Sequence, residues 1–160
     1  DYGTLMPMHL AHTKERGARV VSVGASMHSS IDENLRFGRA IARAAARSGR
    51  RVAFIASGSL SHEFPRNEVA MEFLNEISSP INKHMDHAVL QLWRHGRIDE
   101  FLAMLPEYDA RFSGEGAMSD TAMLFGALGG DAYSGRGEEL CDYFPSTGTG
   151  QAIVDFALSA

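Results

Sequence analysis

A single cysteine, Cys141, is all the thiol chemistry this chain carries. No disulfide can form within it, and the setting it fits is a reducing, cytoplasmic one. Long apolar runs are missing too. No stretch approaches the ~20 residues that span a bilayer and no secretory leader pattern appears, so no membrane partner is expected. Basic tracts are equally scarce. With 15 Lys and Arg against 20 Asp and Glu, the formal charge is -5, and a mildly acidic chain without a basic patch is not built to hold nucleic acid. The one basic concentration is Arg36, Arg39, Arg43, Arg47 and Arg50, spaced to share a helix face and expected to be a solvated stripe. There is no internal repeat, linker or low-complexity segment, so residues 1–160 are expected to form a single domain. An initiating Met is absent as well: the opening "DYGTLMPMHL" reads like the interior of a longer protein.

What is present is the alternation of an α/β fold. "RVVSVGA", Arg19 to Ala25, is a short β-branched run and a strand candidate. Asp32 can cap a helix reaching about Ser48, with Leu35, Ile41 and Ala45 inward and the arginines outward. Gly49 stops that helix, and "RVAFIAS" follows as a second buried strand. Strand, helix and strand with a tight return predict a mostly parallel central sheet flanked by helices. Ligands of such sheets bind at the carboxyl ends of the strands, where "SGSLSHEF", Ser57 to Phe64, falls. Beyond it a long helical pattern runs from about Asn67 to His95, broken by Pro80. A helix over "IDEFLAML" is expected to end before Pro106, and another to span Met118 to Leu128 and close at Gly129-Gly130. "FPSTGTGQAIVDFAL" reads as a turn-rich loop entering a last strand.

His62, at the end of the second apolar run, has four readings: acid/base, metal ligand, partner of a serine nucleophile, or a satisfied core residue. The serine reading is weak. Counting from Gly58, the nucleophile position of a Gly-x-Ser-x-Gly elbow holds Leu60, and adjacent Ser61 and His62 diverge on an extended backbone. "STGTGQ" lacks the lysine of a phosphate loop, and no dinucleotide fingerprint appears. His9 with His12 and His84 with His87 have helical spacing, yet neither pair has a third ligand nearby in sequence. Glu115 stands between Gly114 and Gly116 just before a helix, where backbone can approach closely and one carboxylate meets a helix start. On the residues alone a turn or capping role is favoured for it. Residue by residue, the sequence yields an α/β domain with His62 and Glu115 near the ligand-binding edge, and no reaction.

Five segments in order carry a resemblance: "DYGTLMPM", "VAFIASGSLSHEF", "MDHAVLQLWRHGRIDEF", "MLPEYDARFSGEGAMSDTAMLFGALG" and "FPSTGTGQ". Together they resemble the C-terminal part of the class III extradiol ring-cleavage dioxygenases, the LigB-like fold. The resemblance implies a mononuclear non-haem Fe(II), with Mn(II) as the other metal such donors accept, held by two histidines and a glutamate. The glutamate ligand falls on Glu115 and the catalytic acid/base on His62. Tyr2 falls where many members carry a second active-site histidine, and is expected to contact substrate or the oxygen intermediate. The substrates implied are a catechol, 3,4-dihydroxyphenylacetate first among them, and dioxygen. A catechol must lose protons to become a good ligand, and a histidine side chain is suited to accept one and return it. A homo-oligomer is the usual assembly.

The chain also departs from the family. The two histidine ligands lie in the family's N-terminal half, and nothing here matches either motif; His9 and His12 are poor replacements. The first residues therefore read as a truncation point. Two alternatives stand beside catechol cleavage: ring opening of 2-aminophenol, and a non-catalytic structural subunit that pairs with an active one. Retention of both His62 and Glu115 argues against the second.

Overall fold

The structure, a computed structural model, describes residues 2–24, 26 and 28–158. Helix α1 (Tyr2–Leu10) buries none of its residues. Helix α2 (Ile31–Arg47) begins at a reciprocal capping box: the Ser30 hydroxyl accepts the Glu33 N–H at 3.2 Å, and Glu33 accepts the Ser30 N–H at 2.8 Å. The cap is thus Ser30 and not Asp32, because Ser-x-x-Glu satisfies two orphan donors at once. Arg36, Arg43 and Arg47 are exposed on α2, as their spacing predicts.

Proline acts differently at Pro80 and at Pro106. Pro80 opens helix α3 (Pro80–Arg94) behind the Ser79 cap, where its missing N–H costs nothing. Pro106 lies inside helix α4 (Ile98–Phe112), so the expected stop before it does not occur. Pro106 is exposed while Leu105, Tyr108 and Phe112 are buried on the same helix. Their packing outweighs the one backbone bond that proline forfeits.

Helix α5 (Ser119–Leu128) follows a short 3₁₀ turn at Glu115–Met118 and ends at Gly129. It meets α2 at close range, through Gly38 and Gly126. A Cβ on Gly38 would overlap the Met123 carbonyl, and one on Gly126 would overlap the backbone of Leu35. Four short strands complete the chain: β1 (Gly137–Glu139), β2 (Phe144–Ser146), β3 (Thr149–Gln151) and β4 (Val154–Phe156). β1 pairs with β4 and β2 with β3, both antiparallel. The β2–β3 hairpin turns through Thr147 and Gly148, both with positive φ, at 50° and 87°; two-residue hairpins favour such turns.

The core is aromatic. Trp93 of α3, Phe101 of α4, Phe125 of α5 and Phe156 of β4 interlock with ring centroids 5.1 to 5.9 Å apart, mostly edge to face as their quadrupoles prefer.

The mostly parallel central sheet expected from the sequence is not formed among the described residues, whose two small sheets are antiparallel. The runs at 19–24 and 51–56 carry no ladder, and Val21 and Ile55 are 85% and 59% exposed. Ala25, the end of the first run, lies outside the described residues. A parallel strand is stable only when flanked by partners and buried on both faces, and neither run has either support here. Among the described residues no helix is long and apolar enough to cross a membrane.

Candidate functional site

Residues 59–62 cross the molecule as a short extended rail. On one side the Leu60 N–H donates to the Gly150 carbonyl at 2.9 Å and the Gly150 N–H to the Ser61 carbonyl at 3.0 Å. On the other, the His62 N–H donates to Phe112 O and the Glu115 N–H to Ser59 O, both at 3.4 Å. The rail therefore lies between the β2–β3 hairpin and the junction of α4 with α5. That junction turns sharply: Ser113, Gly116, Ala117 and Met118 all have φ between 51° and 59°. Left-handed backbone at Ser113, Ala117 and Met118 costs about 1 kcal/mol apiece, and it turns Glu115 back onto the rail.

Glu115 and His62 meet there. Glu115 Oε2 accepts the Ser59 N–H at 2.7 Å and the Ser59 hydroxyl at 2.8 Å, and lies 3.7 Å from His62 Nε2. Both side chains remain accessible, His62 at 26% and Glu115 at 43%, so the pair faces a place a small molecule can reach. Behind them Gln151 Nε2 donates to Ser59 Oγ and to Thr149 Oγ1, each at 2.7 Å. A chain of hydrogen bonds thus runs from Gln151 through Ser59 to Glu115, fixing one carboxylate oxygen and leaving the geometry of the other to a ligand. The Phe64 ring stands against His62 with centroids 4.5 Å apart, edge to face.

Asp120 lies close by, its pKa pushed up chiefly by burial and, among smaller effects, by the charge of Glu115. A Cβ on Gly58 would stand 2.9 Å from its Oδ2, so Gly58 and Asp120 pack closely. Two of the three serines of "SGSLSHEF" are engaged elsewhere: Ser59 with Glu115, Ser61 with the buried carboxylate of Asp86 at 2.8 Å through its hydroxyl. Neither is left as a nucleophile paired to His62.

Of the three site residues expected from the sequence, the fold brings together His62 and Glu115 but not Tyr2. Tyr2 opens α1 with 78% of its surface exposed, and among the described residues it makes no hydrogen bond or ring contact with either. Sequence reasoning missed Ser59 and Gln151 as supports of Glu115. As for a metal, Glu115 suits one position: an accessible carboxylate, hard in its donor chemistry, oriented from behind by two donors. No three His, Cys, Asp or Glu side chains converge among the described residues. Glu115 is thus a candidate single ligand, and no complete ligand set forms among the described residues.

A family model described as the catalytic LigB subunit of aromatic ring-opening dioxygenase matches residues 1–157. The chain is 40% identical over 138 residues to the 3,4-dihydroxyphenylacetate 2,3-dioxygenase of Escherichia coli, covering 85% of this chain and 49% of that protein. It is 28% identical over 168 aligned positions to the 2-aminophenol 1,6-dioxygenase beta subunit of Pseudomonas sp., covering 99% of this chain and 54% of that protein. The chain spans about half the length of these curated relatives.

Proposed function

Because the chain belongs to the family of catalytic LigB subunits of aromatic ring-opening dioxygenases, we propose that it works as one domain in the extradiol cleavage of a catechol by dioxygen. The substrate proposed is 3,4-dihydroxyphenylacetate, opened to 5-carboxymethyl-2-hydroxymuconate semialdehyde with both oxygen atoms retained. The higher identity to the dioxygenase acting on that catechol, 40% against 28%, favours it over 2-aminophenol. The observation that carries the reading within this chain is the pairing of His62 with Glu115, 3.7 Å apart on separate segments.

In this reading Glu115 is one protein ligand of an Fe(II) whose two histidine ligands lie in the part of the polypeptide that the relatives have beyond this chain. When bound at Glu115, iron would supply Lewis acidity toward the catechol oxygens and a means of moving charge between catechol and dioxygen. The chain's own residues have three tasks. Ser59 holds Glu115 Oε2 through N–H and hydroxyl, so the carboxylate keeps its orientation when it binds. His62 takes a proton from a catechol hydroxyl and later returns it to the opening ring. Phe64, edge-on to the imidazole, limits how the ring can swing. Tyr2 is proposed to reach the substrate only when the rest of the polypeptide gathers α1 toward the site. The family's mostly parallel sheet, with 19–24 and 51–56 as strands, belongs to that same completed state, as does a homo-oligomer.

The direct test incubates the chain anaerobically with Fe(II) and 3,4-dihydroxyphenylacetate, admits oxygen, and follows yellow product and oxygen uptake, with and without the remaining half. Activity that appears only with that half supports the reading. Activity of the 160 residues alone would move the histidine ligands onto this chain, to His9, His12 or His28. No ring opening in either arm overturns it.

A further inference from the structure

The site stands on a carboxylate that takes no part in it. Asp86, in the middle of α3, is 0% exposed, and among the described residues it forms no ion pair. Instead four neutral donors converge on it. Its Oδ1 accepts the Ser61 N–H at 3.0 Å and the Tyr108 hydroxyl at 2.7 Å; its Oδ2 accepts the Ser61 hydroxyl and the Tyr143 hydroxyl, each at 2.8 Å. The carboxylate's acceptor sites are filled. Burying an anion is nevertheless expensive, and well-packed apolar groups often serve stability as well or better. What an apolar group cannot do is hold a backbone by direction.

Direction is what Asp86 gives Ser61. It grips that residue twice, at the N–H and at the hydroxyl, with one oxygen each. Ser61 is the middle of the rail: Ser59, which orients Glu115, stands two residues before it and His62 one after. The His62 N–H bond to Phe112 is long at 3.4 Å, so Asp86 makes the firmer hold on the rail from this side. The same carboxylate gathers the neighbouring elements. Tyr108 ties it to α4 and Tyr143 to the approach of β2. The hairpin presses against it at Gly150, where a Cβ would overlap both Asp86 Oδ2 and the Tyr143 hydroxyl.

We propose that Asp86 is a positioning residue for the ring-opening reaction: by clamping Ser61 it sets the placement of His62 and of the Ser59–Glu115 pair. This rests on the proposed role of His62. The measurement is made on the full-length, iron-loaded polypeptide with Asp86→Asn, His62→Phe and the double variant, following melting temperature, iron stoichiometry, kcat and KM for 3,4-dihydroxyphenylacetate. In Asp86→Asn, kcat is expected to fall about a hundredfold, the scale of a misplaced catalytic group, while KM and iron content stay within a few fold. In the double variant little further loss beyond His62→Phe is expected, because both changes remove the same function. A merely structural Asp86 lowers the melting temperature and leaves kcat of the folded enzyme unchanged; that result, or losses that multiply fully in the double variant, overturns the proposal. If Asp86→Asn does not fold, Ser61→Ala keeps the N–H bond and drops only the hydroxyl; about a tenfold loss of kcat is expected there, and none overturns the proposal. Normal turnover in His62→Phe alone defeats the functional reading instead, whatever Asp86→Asn does.

Discussion

At the scale of single residues the site separates two kinds of loss. His62→Phe keeps an aromatic ring beside Phe64 but removes the proposed proton carrier, so turnover is expected to drop by about two to four decades with iron content intact. Steady-state kinetics beside metal analysis checks this, and turnover within a few fold of the parent would make His62 structural. Glu115→Ala removes a proposed ligand, so tight iron binding is expected to go first, read as iron per chain after dialysis; normal stoichiometry would refute the ligand role. Both residues were legible in the sequence, one by following an apolar run, the other by its flanking glycines. Their supports were not. Ser59 lies 56 positions from Glu115 and 92 from Gln151, and no local pattern announces a hydrogen bond over such separations. Asp86 looked like one more polar residue of an amphipathic helix, and only the fold shows it sealed among tyrosines.

Elements meet at two places where a small change has a readable effect. The crossing of α2 and α5 depends on Gly38 and Gly126, and a methyl at Gly126 would overlap the Leu35 backbone. Gly126→Ala must push the helices apart, so a destabilisation of about 1–3 kcal/mol is expected by denaturant titration; an unchanged midpoint would mean the helices pack more loosely. The second place is the junction of α3, α4 and the hairpin. Burial pushes the Tyr108 hydroxyl above its ordinary value of 10.0, and the nearby charge of Asp86 adds to it; Tyr143 is raised for the same reasons. A folded-state pKa above the unfolded value means a contribution fully present below about pH 10 and lost as pH rises beyond it, since the unfolded chain releases those protons first. Stability is expected to fall above pH 10 by about 1.4 kcal/mol per pH unit for buried Tyr108, and by less for Tyr143, whose partial exposure screens it. Tyr143→Phe should remove at most about one proton from that slope, and an unchanged slope would show that Tyr143 ionises freely in the folded state. The long helical reading over 67–95 holds only from Pro80 onward, since Asn67–Phe73 forms just a 3₁₀ helix, and the expected stop fails at Pro106, where buried Leu105, Tyr108 and Phe112 override a local breaker.

For the molecule as a whole, order is unevenly shared. The core residues run from Leu60 to Tyr133, joined by partly buried Tyr143, Val154 and Phe156, while α1 and the runs at 19–24 and 51–56 hold no buried side chain. The sequence pattern assigned those two runs to a parallel sheet, because β-branched residues around a capped helix favour one. Pattern states what a segment would bury, and burial itself needs a partner strand. Hydrogen exchange separates the two situations. Amides of α3, α4 and α5 are expected to exchange slowly, through openings close to global unfolding, and those of 19–24 and 51–56 to exchange fast in this chain. If the same amides become protected in the full-length polypeptide, the proposed parallel sheet forms there, with "SGSLSHEF" at its carboxyl edge where such sheets bind ligands. Fast exchange in both forms would remove these runs from any sheet and leave the rail at 59–62, held by Asp86 and the hairpin, as the extended support beneath His62 among the described residues.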